Sequence, residues 1–408
     1  MSKLNDLLIS MCPDGIKYKK MSEIGYFYGG LNSKSKDDFT NGNAAFISYM
    51  NVYSNIALNP DVDDRVHIGE NERQNTVQYG DVLFTGSSET PDECGISSVL
   101  TTQTEEKLYL NSFCFGYRFN DPKMFLPEFT KHLFRSKNLR SQITRTASGV
   151  TRFNVSKKKM GDVVIPVPPL EVQREIAQLL DTFTNLVGEL NVELGARKQQ
   201  YLHYRQQILS FGSEVKRRKI KDICKTICSG GTPNSKKSEY YGGSIPWLRT
   251  QEVDFKEILN TGVFITEQGL KSSAAKWIPA HAVIVAMYGA TVGKVAYTAI
   301  PLTTNQACCN LIVDEKVADY KYVYYWLASQ YEFIKSLGQG SQTNINAQIV
   351  KNLEIPIPTV PQQKQIVNLL DQFDTLCSDS SIGLPAEIKA RQKQYEYYRD
   401  KFLDFQVF

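Results

Sequence analysis

One stretch of this chain occurs twice. The first copy reads Ile165-Pro-Val-Pro-Pro-Leu-Glu-Val-Gln-Arg-Glu-Ile-Ala-Gln-Leu-Leu-Asp-Thr-Phe. The second reads Ile355-Pro-Ile-Pro-Thr-Val-Pro-Gln-Gln-Lys-Gln-Ile-Val-Asn-Leu-Leu-Asp-Gln-Phe. From Ile165 to Leu186 the copies are 190 positions apart, and ten of twenty-two pairs are identical. The match resumes at an offset of 194, where Leu194-Gly-Ala-Arg-Lys-Gln-Gln-Tyr faces Ile388-Lys-Ala-Arg-Gln-Lys-Gln-Tyr. The second copy therefore carries four extra residues, placed around Ser378 to Pro385. A period this long is not that of a solenoid. It predicts two whole domains, each followed by a helical segment.

Each copy has the signals of a helix start. A Pro-rich extended run comes first, and Pro169 or Pro361 falls near the first turn, where a missing N–H costs little. Apolar residues then follow a 4-3 stride: Phe183, Val187, Leu190, Leu194, Tyr201, Tyr204, Ile208 and Phe211, interrupted by Arg197. The second copy gives Leu384, Ile388, Tyr395, Tyr398, Phe402 and Phe405, interrupted by Arg391 at the equivalent place. Such a seam predicts helices that pack on each other as an antiparallel coiled coil with a pseudo-two-fold axis. The plainer alternative is two amphipathic helices packed on separate domains. Leu190, Leu194, Arg197, Tyr201 and Ile208, with Ile388, Arg391, Tyr395 and Phe402, are the expected packing residues.

The order of elements is circular. Leu7-Leu8-Ile9, a loop and Met21-Ser-Glu-Ile24 echo Ile208-Leu209-Ser210, a loop and Ile220-Lys-Asp-Ile223. Each globular part is entered from a helix end and left through Ile-Pro-x-Pro into a helix. The expected division is 1–168, 169–215, 216–358 and 359–408. The first globular part has a loop at Gly29 to Lys36, a turn into a buried strand at Gly80 to Phe84, and a strand within Asn111 to Phe119. A helix follows from Pro127 to Ile143, and a break comes at Ser148-Gly149. The second part repeats this order with Ser229 to Lys237, Val283 to Val285, Asn305 to Val313, Tyr320 to Ile334, and Gly338 to Asn344. The fold class is therefore mixed α/β: two similar globular domains and two long antiparallel helices in an internal repeat.

Hydrophobic residues make up 42% and charged residues 22% of the chain, ordinary values for a globular protein. No apolar run approaches the roughly 18–20 residues that span a bilayer, and the first ten residues are too polar for a signal peptide. Eight Cys and four His form no C-x-x-C pair, so buried thiols in a reducing cytoplasm are expected rather than zinc. Net charge is only +4, but nine Lys or Arg and no acid lie between Lys131 and Lys159. A second cluster, Lys216-Arg-Arg-Lys-Ile-Lys221, follows the first long helix. Basic runs at equivalent domain edges suit a polyanion.

Signs of catalysis are missing. Gly289-Ala-Thr-Val-Gly-Lys-Val295 has three residues between its glycines where a phosphate-binding loop needs four, and Val where Ser or Thr must reach magnesium. It reads as strand-turn-strand with an exposed Lys294. No G-x-G-x-x-G follows a strand, and no Asp/Asn-Pro-Pro-aromatic segment signals a methyl-donor pocket. Asp61 to Asp64 and Asp314-Glu-Lys316 read as surface carboxylates.

Taken together, the repeated Ile-Pro-x-Pro, Gln173 and Gln363, the Leu-Leu-Asp tripeptides, the long helices and the run from Gly230-Gly-Thr-Pro233 to Ile245-Pro-Trp-Leu248 carry a likeness. The chain resembles the specificity subunit of type I restriction–modification enzymes along essentially its whole length. The resemblance implies a non-catalytic subunit with two target-recognition domains, each reading one half of a split double-stranded DNA sequence. The helices would space the domains and dock modification (methyltransferase) subunits, two of them by the pseudo-symmetry. Restriction/translocase subunits would join. No cofactor is implied in this chain; S-adenosylmethionine is expected in the methyltransferase, ATP and Mg in the restriction subunit. The compartment implied is the cytoplasm, with no membrane partner.

The helix from Phe183 to Phe211 would be about 42 Å long at ~1.5 Å per residue, close to the roughly 34–36 Å turn of B-DNA that separates half-sites. Arg, Lys, Asn and Gln in loops are the base-reading and phosphate-binding types. The candidates are Lys34, Lys36, Arg145 and Arg152 in the first domain. In the second they are Lys236, Lys237, Arg249, Gln251, Lys294, Gln342 and Asn344. Two other classes stay open, an enzyme acting alone on DNA and a tandem adaptor that binds only protein.

Overall fold

A computed structural model describes residues 2–338 and 344–405. It divides into two compact units, Met1–Asn191 with Glu387–Phe408, and Val192–Ala386.

In the first unit an antiparallel sheet has the order Gly25–Gly29, Cys114–Phe119, Val82–Thr85, Ser97–Val99. A second sheet has the order Arg65–Val66, Ala44–Ile47, Leu108–Leu110, Thr76–Val77, with its central pair parallel. The period-2 alternation of a strand explains how the two stack. Val82, Phe84, Phe115 and Tyr117 face one core with the helices, while Leu83 and Cys114 face another with Ala45, Ile47, Leu108 and Leu110. Both faces are covered, so these strands read as nearly continuous apolar runs rather than as apolar-polar alternation.

The second unit repeats this plan. Its main sheet runs Cys224–Ser229, Cys308–Val313, Val283–Ala286, Val295–Thr298, with Glu257–Ile258 added in parallel at the edge. Its second sheet runs Phe264–Ile265, Tyr241–Leu248, Leu302–Thr304, Trp277–Ile278, again with a parallel central pair. Val283, Val285, Cys309 and Leu311 face the helices; Ile284, Ala286 and Cys308 face the second sheet. A two-stranded clasp closes each unit, Lys17–Lys20 on Val164–Val167 and Arg217–Lys219 on Glu354–Pro356.

The helices complete the cores. In the first unit Leu4 and Leu8 of the helix Ser2–Met11 join Val172, Ile176 and Leu180 of the central helix Leu170–Ile208. Phe402, Leu403 and Phe405 join the same core from the chain's other end. Phe183 stacks on Tyr398 at 5.2 Å. In the second unit Leu209, Val367 and Leu370 are buried together. Tyr201 and Tyr204 pack on Phe373 at 6.3 and 6.0 Å, and Cys377 lies beside Lys198 and Arg197. Rising numbers on the central helix thus meet falling numbers on Val360–Ser378, an antiparallel pair.

The expected packing residues fall on these contacts unevenly. Ile388 and Phe402 are buried; Tyr395 packs on the first core; Leu190, Leu194, Tyr201 and Ile208 are half-buried. Arg197 and Arg391 stay half-exposed and bond along their own helices, to Glu193 and Gln200 in one case and to Glu387 and Gln394 in the other. The same ladder at the same offset explains why each seam tolerates an Arg.

Two expectations are corrected. The helices read over Pro127 to Ile143 and Tyr320 to Ile334 are each two: Pro127–Leu133 and Lys137–Thr144, then Tyr320–Ser329 and Tyr331–Ser336. At each break a serine hydroxyl, Ser136 or Ser329, donates to the carbonyl three residues back at 2.7 Å, competing with the helical ladder. The second copy of the repeat is also not one long helix. It comprises Val360–Ser378 and Leu384–Phe402, broken where the extra residues lie. The Asp379 carboxylate accepts from the backbone N–H of Ser381 at 2.6 Å, and the Gly383 N–H donates to the Asp379 carbonyl at 3.1 Å. A Cβ on Gly383 would stand 2.3 Å from the Thr375 carbonyl oxygen, so only glycine lets the chain fold back so closely.

Candidate nucleic-acid interface

Buried amides hold the helix starts. The Gln173 side chain accepts from the Leu126 N–H at 2.9 Å and donates to the Met124 and Pro168 carbonyls at 3.0 and 2.8 Å. Gln363 accepts from the Asp319 N–H at 2.8 Å and donates to Val317 and Pro358 at 3.3 and 2.8 Å. The Asp of each Leu-Leu-Asp anchors the neighbouring helix. Asp181 holds Lys131 and His132, each at 2.7 Å, and Asp371 holds Lys321 and Tyr325 at 2.8 and 2.6 Å. His132 also meets the Tyr395 hydroxyl at 2.9 Å.

With these anchors fixed, each main sheet presents one open end carrying loops. In the first unit it is marked by the pairs Phe115↔Gly29 and Cys114↔Thr85, in the second by Cys309↔Ser229 and Cys308↔Ala286. The returning segment joins it identically: the Val155 N–H donates to Gly86, and the Ile345 N–H to Met287, both at 3.0 Å.

At the first unit's open end a cleft of about 660 Å³ is lined by Tyr49, Met50, Tyr53, Ser87, Ser88, Glu89, Glu93, Phe113, Thr151 and Arg152. Arg152 Nε and Nη2 donate to Ser87 Oγ at 3.1 and 2.9 Å, and the guanidinium lies 5.6 Å from the centre of the exposed Phe113 ring. Tyr49 donates to the Ser87 carbonyl at 2.9 Å. The Glu93 carboxylate accepts from Tyr53, Thr90 and Ser88, which together hold it below the usual carboxylate range. Sequence reading missed Tyr49, Ser87, Glu89 and Phe113. The one available signal was that Phe113 and Ser87 border the two buried strands.

The other first-domain candidates do not gather there. Lys34 is an internal ion-pair partner: its side chain is 7% exposed, 2.6 Å from Glu72, whose carboxyl is drawn down to about 2 by hydrogen bonds from Lys34, Gln74 and Gly69. Lys36 is exposed at the start of the short turn Asp37–Phe39. Arg145 lies in a groove with Asp400 and Asp404, beside the chain's C-terminal residues. The basic run also divides. Arg135 donates to the carbonyls of Ser97, Tyr53 and Asn55 at 2.7, 3.1 and 3.3 Å, and Arg140 to those of Gly95, Cys94 and Asp92. Burial pulls both guanidiniums down to about 10. Arg135 thereby holds the C-terminal carbonyls of the helix Tyr49–Ser54, which carries one wall of the cleft. Lys157, Lys158 and Lys159 remain exposed.

In the second unit four candidates share the open end. Gln251, its amide oxygen turned inward, accepts from Arg249 Nη1 and Nη2 at 3.3 and 2.9 Å, while Arg249 Nε reaches Glu252 at 3.4 Å. Thr291 Oγ1 donates to the Thr250 carbonyl at 2.9 Å, joining this turn to Gly289–Thr291, and the Gly289 N–H donates to Asn344 Oδ1 at 3.4 Å. Lys294 is not freely exposed as expected; it pairs with Asp254 at 2.6 Å and is 26% exposed. Lys236 and Lys237 sit on the neighbouring loop, which Thr232 ties to Gln306, and Lys237 donates to the Tyr240 hydroxyl at 3.1 Å. Gln342 lies outside the described residues.

Among the described residues no group of three or more His, Cys, Asp or Glu is placed to hold a metal ion, and no helix is long and apolar enough to cross a membrane. All eight cysteines are free thiols, and burial pushes those of Cys114, Cys224 and Cys309 up to about 12.

Comparison with known proteins gives the same two-part division. The sequence is 38% identical over 266 residues to the EcoR124I/EcoR124II type I restriction enzyme specificity subunit of Escherichia coli, covering 62% of this chain and 64% of that one. It is 28% identical over 276 residues to a putative type I restriction enzyme specificity subunit of Haemophilus influenzae, covering 63% and 68%. The chain thus spans a little under two thirds of the E. coli relative's length. Its fold is similar to that of a chain solved in work on complex assembly and conformational transition of a type I R-M system. That TM-score is 0.68 at 17% identity, covering 96% of this chain and 98% of that one. It is also similar to the HsdS subunit of Thermoanaerobacter tengcongensis, with a TM-score of 0.53 at 17% identity, covering 96% and 97%. The model of one family matches residues 13–195 and again 212–390, one match for each copy of the repeat, so the chain belongs to the type I restriction modification DNA specificity domain family.

Proposed function

We propose that this chain is the sequence-reading subunit of a type I restriction–modification complex, each unit reading one half of a bipartite double-stranded DNA target. One observation carries the reading. The same open sheet end occurs in both units on a shared scaffold, yet with different polar residues, Arg152 and Glu89 in one, Arg249, Gln251 and Asn344 in the other. A shared frame with unlike loops is what two independent readers of two half-sites require. Exposed Lys157, Lys158 and Lys159, which follow Arg152 in the chain, would hold phosphates. The helices would set the spacing of the half-sites and dock two modification subunits, which restriction/translocase subunits join. Chemistry would belong to those partners, in the cytoplasm, with S-adenosylmethionine in the methyltransferase and ATP and Mg in the motor.

The test is a domain exchange in a host carrying the complete system. Replacing residues 16–168 by the corresponding region of another family member should change one half of the methylated sequence and leave the other half intact. A change in both halves together would overturn independent reading. Methyl transfer by the purified chain alone would overturn the non-catalytic role.

A further inference from the structure

Resting on that reading, the geometry points to a G·C base pair as an obligatory element of the first unit's half-site, read by Arg152 and Glu89 in the cleft beside Phe113. The guanidinium of Arg152 is already committed on one edge. Its Nε and Nη2 both donate to Ser87 Oγ, at 3.1 and 2.9 Å. A planar guanidinium has two such edges. The Nε/Nη2 edge is taken, and the end-on edge, with parallel N–H bonds from Nη1 and Nη2, is left open to the cleft. The Phe113 ring, 5.6 Å away and 56% exposed, lies within cation–π range of the guanidinium, whose two bonds to Ser87 hold its plane. A fork held in one plane with its end-on edge free matches the O6 and N7 acceptors of guanine.

The acceptor side comes from Glu89. Two carboxylates line the cleft, but Glu93 is spent on Tyr53, Thr90 and Ser88. Glu89 is exposed and makes no ion pair or hydrogen bond among the described residues. A carboxylate cannot face guanine O6 or N7, but it accepts from the N4 amino group of cytosine. A donor fork and a lone acceptor in one cleft together complement a G·C pair across the major groove. Adenine sets its N6 amino donor beside N7, so on the purine of an A·T pair the fork meets one acceptor and a donor where it needs the second acceptor. The second unit is not built this way. There Gln251 occupies the Arg249 end-on edge, at 3.3 and 2.9 Å. The expected G·C requirement therefore belongs to the first half-site.

The experiment uses the whole complex, this chain with its modification subunit, and sequences every methylated site. Arg152→Lys keeps the charge but not the fork. It should relax one G·C position in one half-site by about ten- to hundredfold and leave the other half unchanged. Glu89→Gln should relax the same position. If Arg152→Lys is silent while Arg152→Gln weakens all sites evenly, Arg152 is a phosphate contact. That overturns the base-reading inference and leaves the proposed function standing. If Arg152→Gln, Glu89→Gln and Phe113→Ala all leave the methylated sequence and its efficiency unchanged, the cleft does not face DNA, and the inference fails together with this placement of the interface. A domain exchange that still switches one half-site would then show that the bipartite reading survives.

Discussion

Gln363 repeats, 190 residues on and in the other unit, every kind of hydrogen bond that Gln173 makes: one backbone N–H accepted, two carbonyls donated to, no exposed surface. Neither amide can be replaced by an apolar side chain without orphaning three backbone groups, one buried and two partly buried. Gln173→Leu is expected to cost roughly 2–4 kcal/mol, since each buried unpaired group costs about 1–3 kcal/mol and part relaxes. Hydrogen exchange should accelerate across residues 120–170 and stay unchanged across 217–356. Gln363→Leu should give the mirror pattern. Equal acceleration in both regions would show that the units do not hold their stability separately.

His132 sets a pH dependence. Its ring is fully buried between Asp181 and Tyr395, with Lys131 and Arg399 nearby. Burial lowers its pKa below the ordinary 6.5, against the opposing pull of Asp181; Lys131 and Arg399 add to the lowering. The unfolded chain therefore takes up the proton first as pH falls. The stability contribution is whole above about pH 6.5 and drains away from there down to the lowered folded value. The first unit's unfolding temperature should drop between pH 7.5 and 5.5, and His132→Gln should flatten that drop while lowering the starting value.

Gly383 terminates the turn that divides the second copy of the repeat. Gly383→Ala would place a methyl group 2.3 Å from the Thr375 oxygen and 2.8 Å from those of Asp379 and Leu376, all backbone atoms that cannot swing aside. A loss of about 1–3 kcal/mol is expected, as for other forced overpacking, read as a lower denaturant midpoint. Gly188→Ala is the control: nothing lies within 4 Å of its Cβ position, so a small gain in helix stability is expected.

Lys157, Lys158 and Lys159 are exposed on a short helix that begins five residues after Arg152. Changing all three to Ala should weaken binding to every DNA sequence alike. Binding measured against salt should lose about 0.9 units of log–log slope for each phosphate contact removed, with the methylated sequence unchanged. An altered sequence would mean that these lysines read bases.

The repeat made the architecture legible because its residues are the ones that hold the frame. Gln173, Asp181, Leu180 and their partners at 363, 371 and 370 recur because the same helix start must be tied to the same neighbouring helix and its entry each time. The site was less legible because a cation's sequence neighbourhood does not say where its charge is used. Lys34 and Arg152 looked alike in the sequence. One is closed on Glu72, the other opens into a cleft. Arg135 and Arg140, counted in a basic run, are internal braces. The extra residues near Ser378 carry no sign of a break in their periodicity, yet Asp379 and Gly383 end one helix there, a choice made by local hydrogen bonds that periodicity does not register.

The first unit combines two separated stretches, Met1–Asn191 and Glu387–Phe408, whereas the second is one unbroken stretch from Val192 to Ala386. On a ribosome these differ in time. Domains fold as units while the chain is still growing, at about 5–20 residues per second, so the second unit has all its residues before the first does. The α/β body of the first unit must wait, with Leu4, Leu8 and Ile176 still lacking Phe402 and Leu403, until those two residues have left the exit tunnel. A premature stop just before Glu387 would therefore spare the domain nearest to it in sequence and strike the one made first.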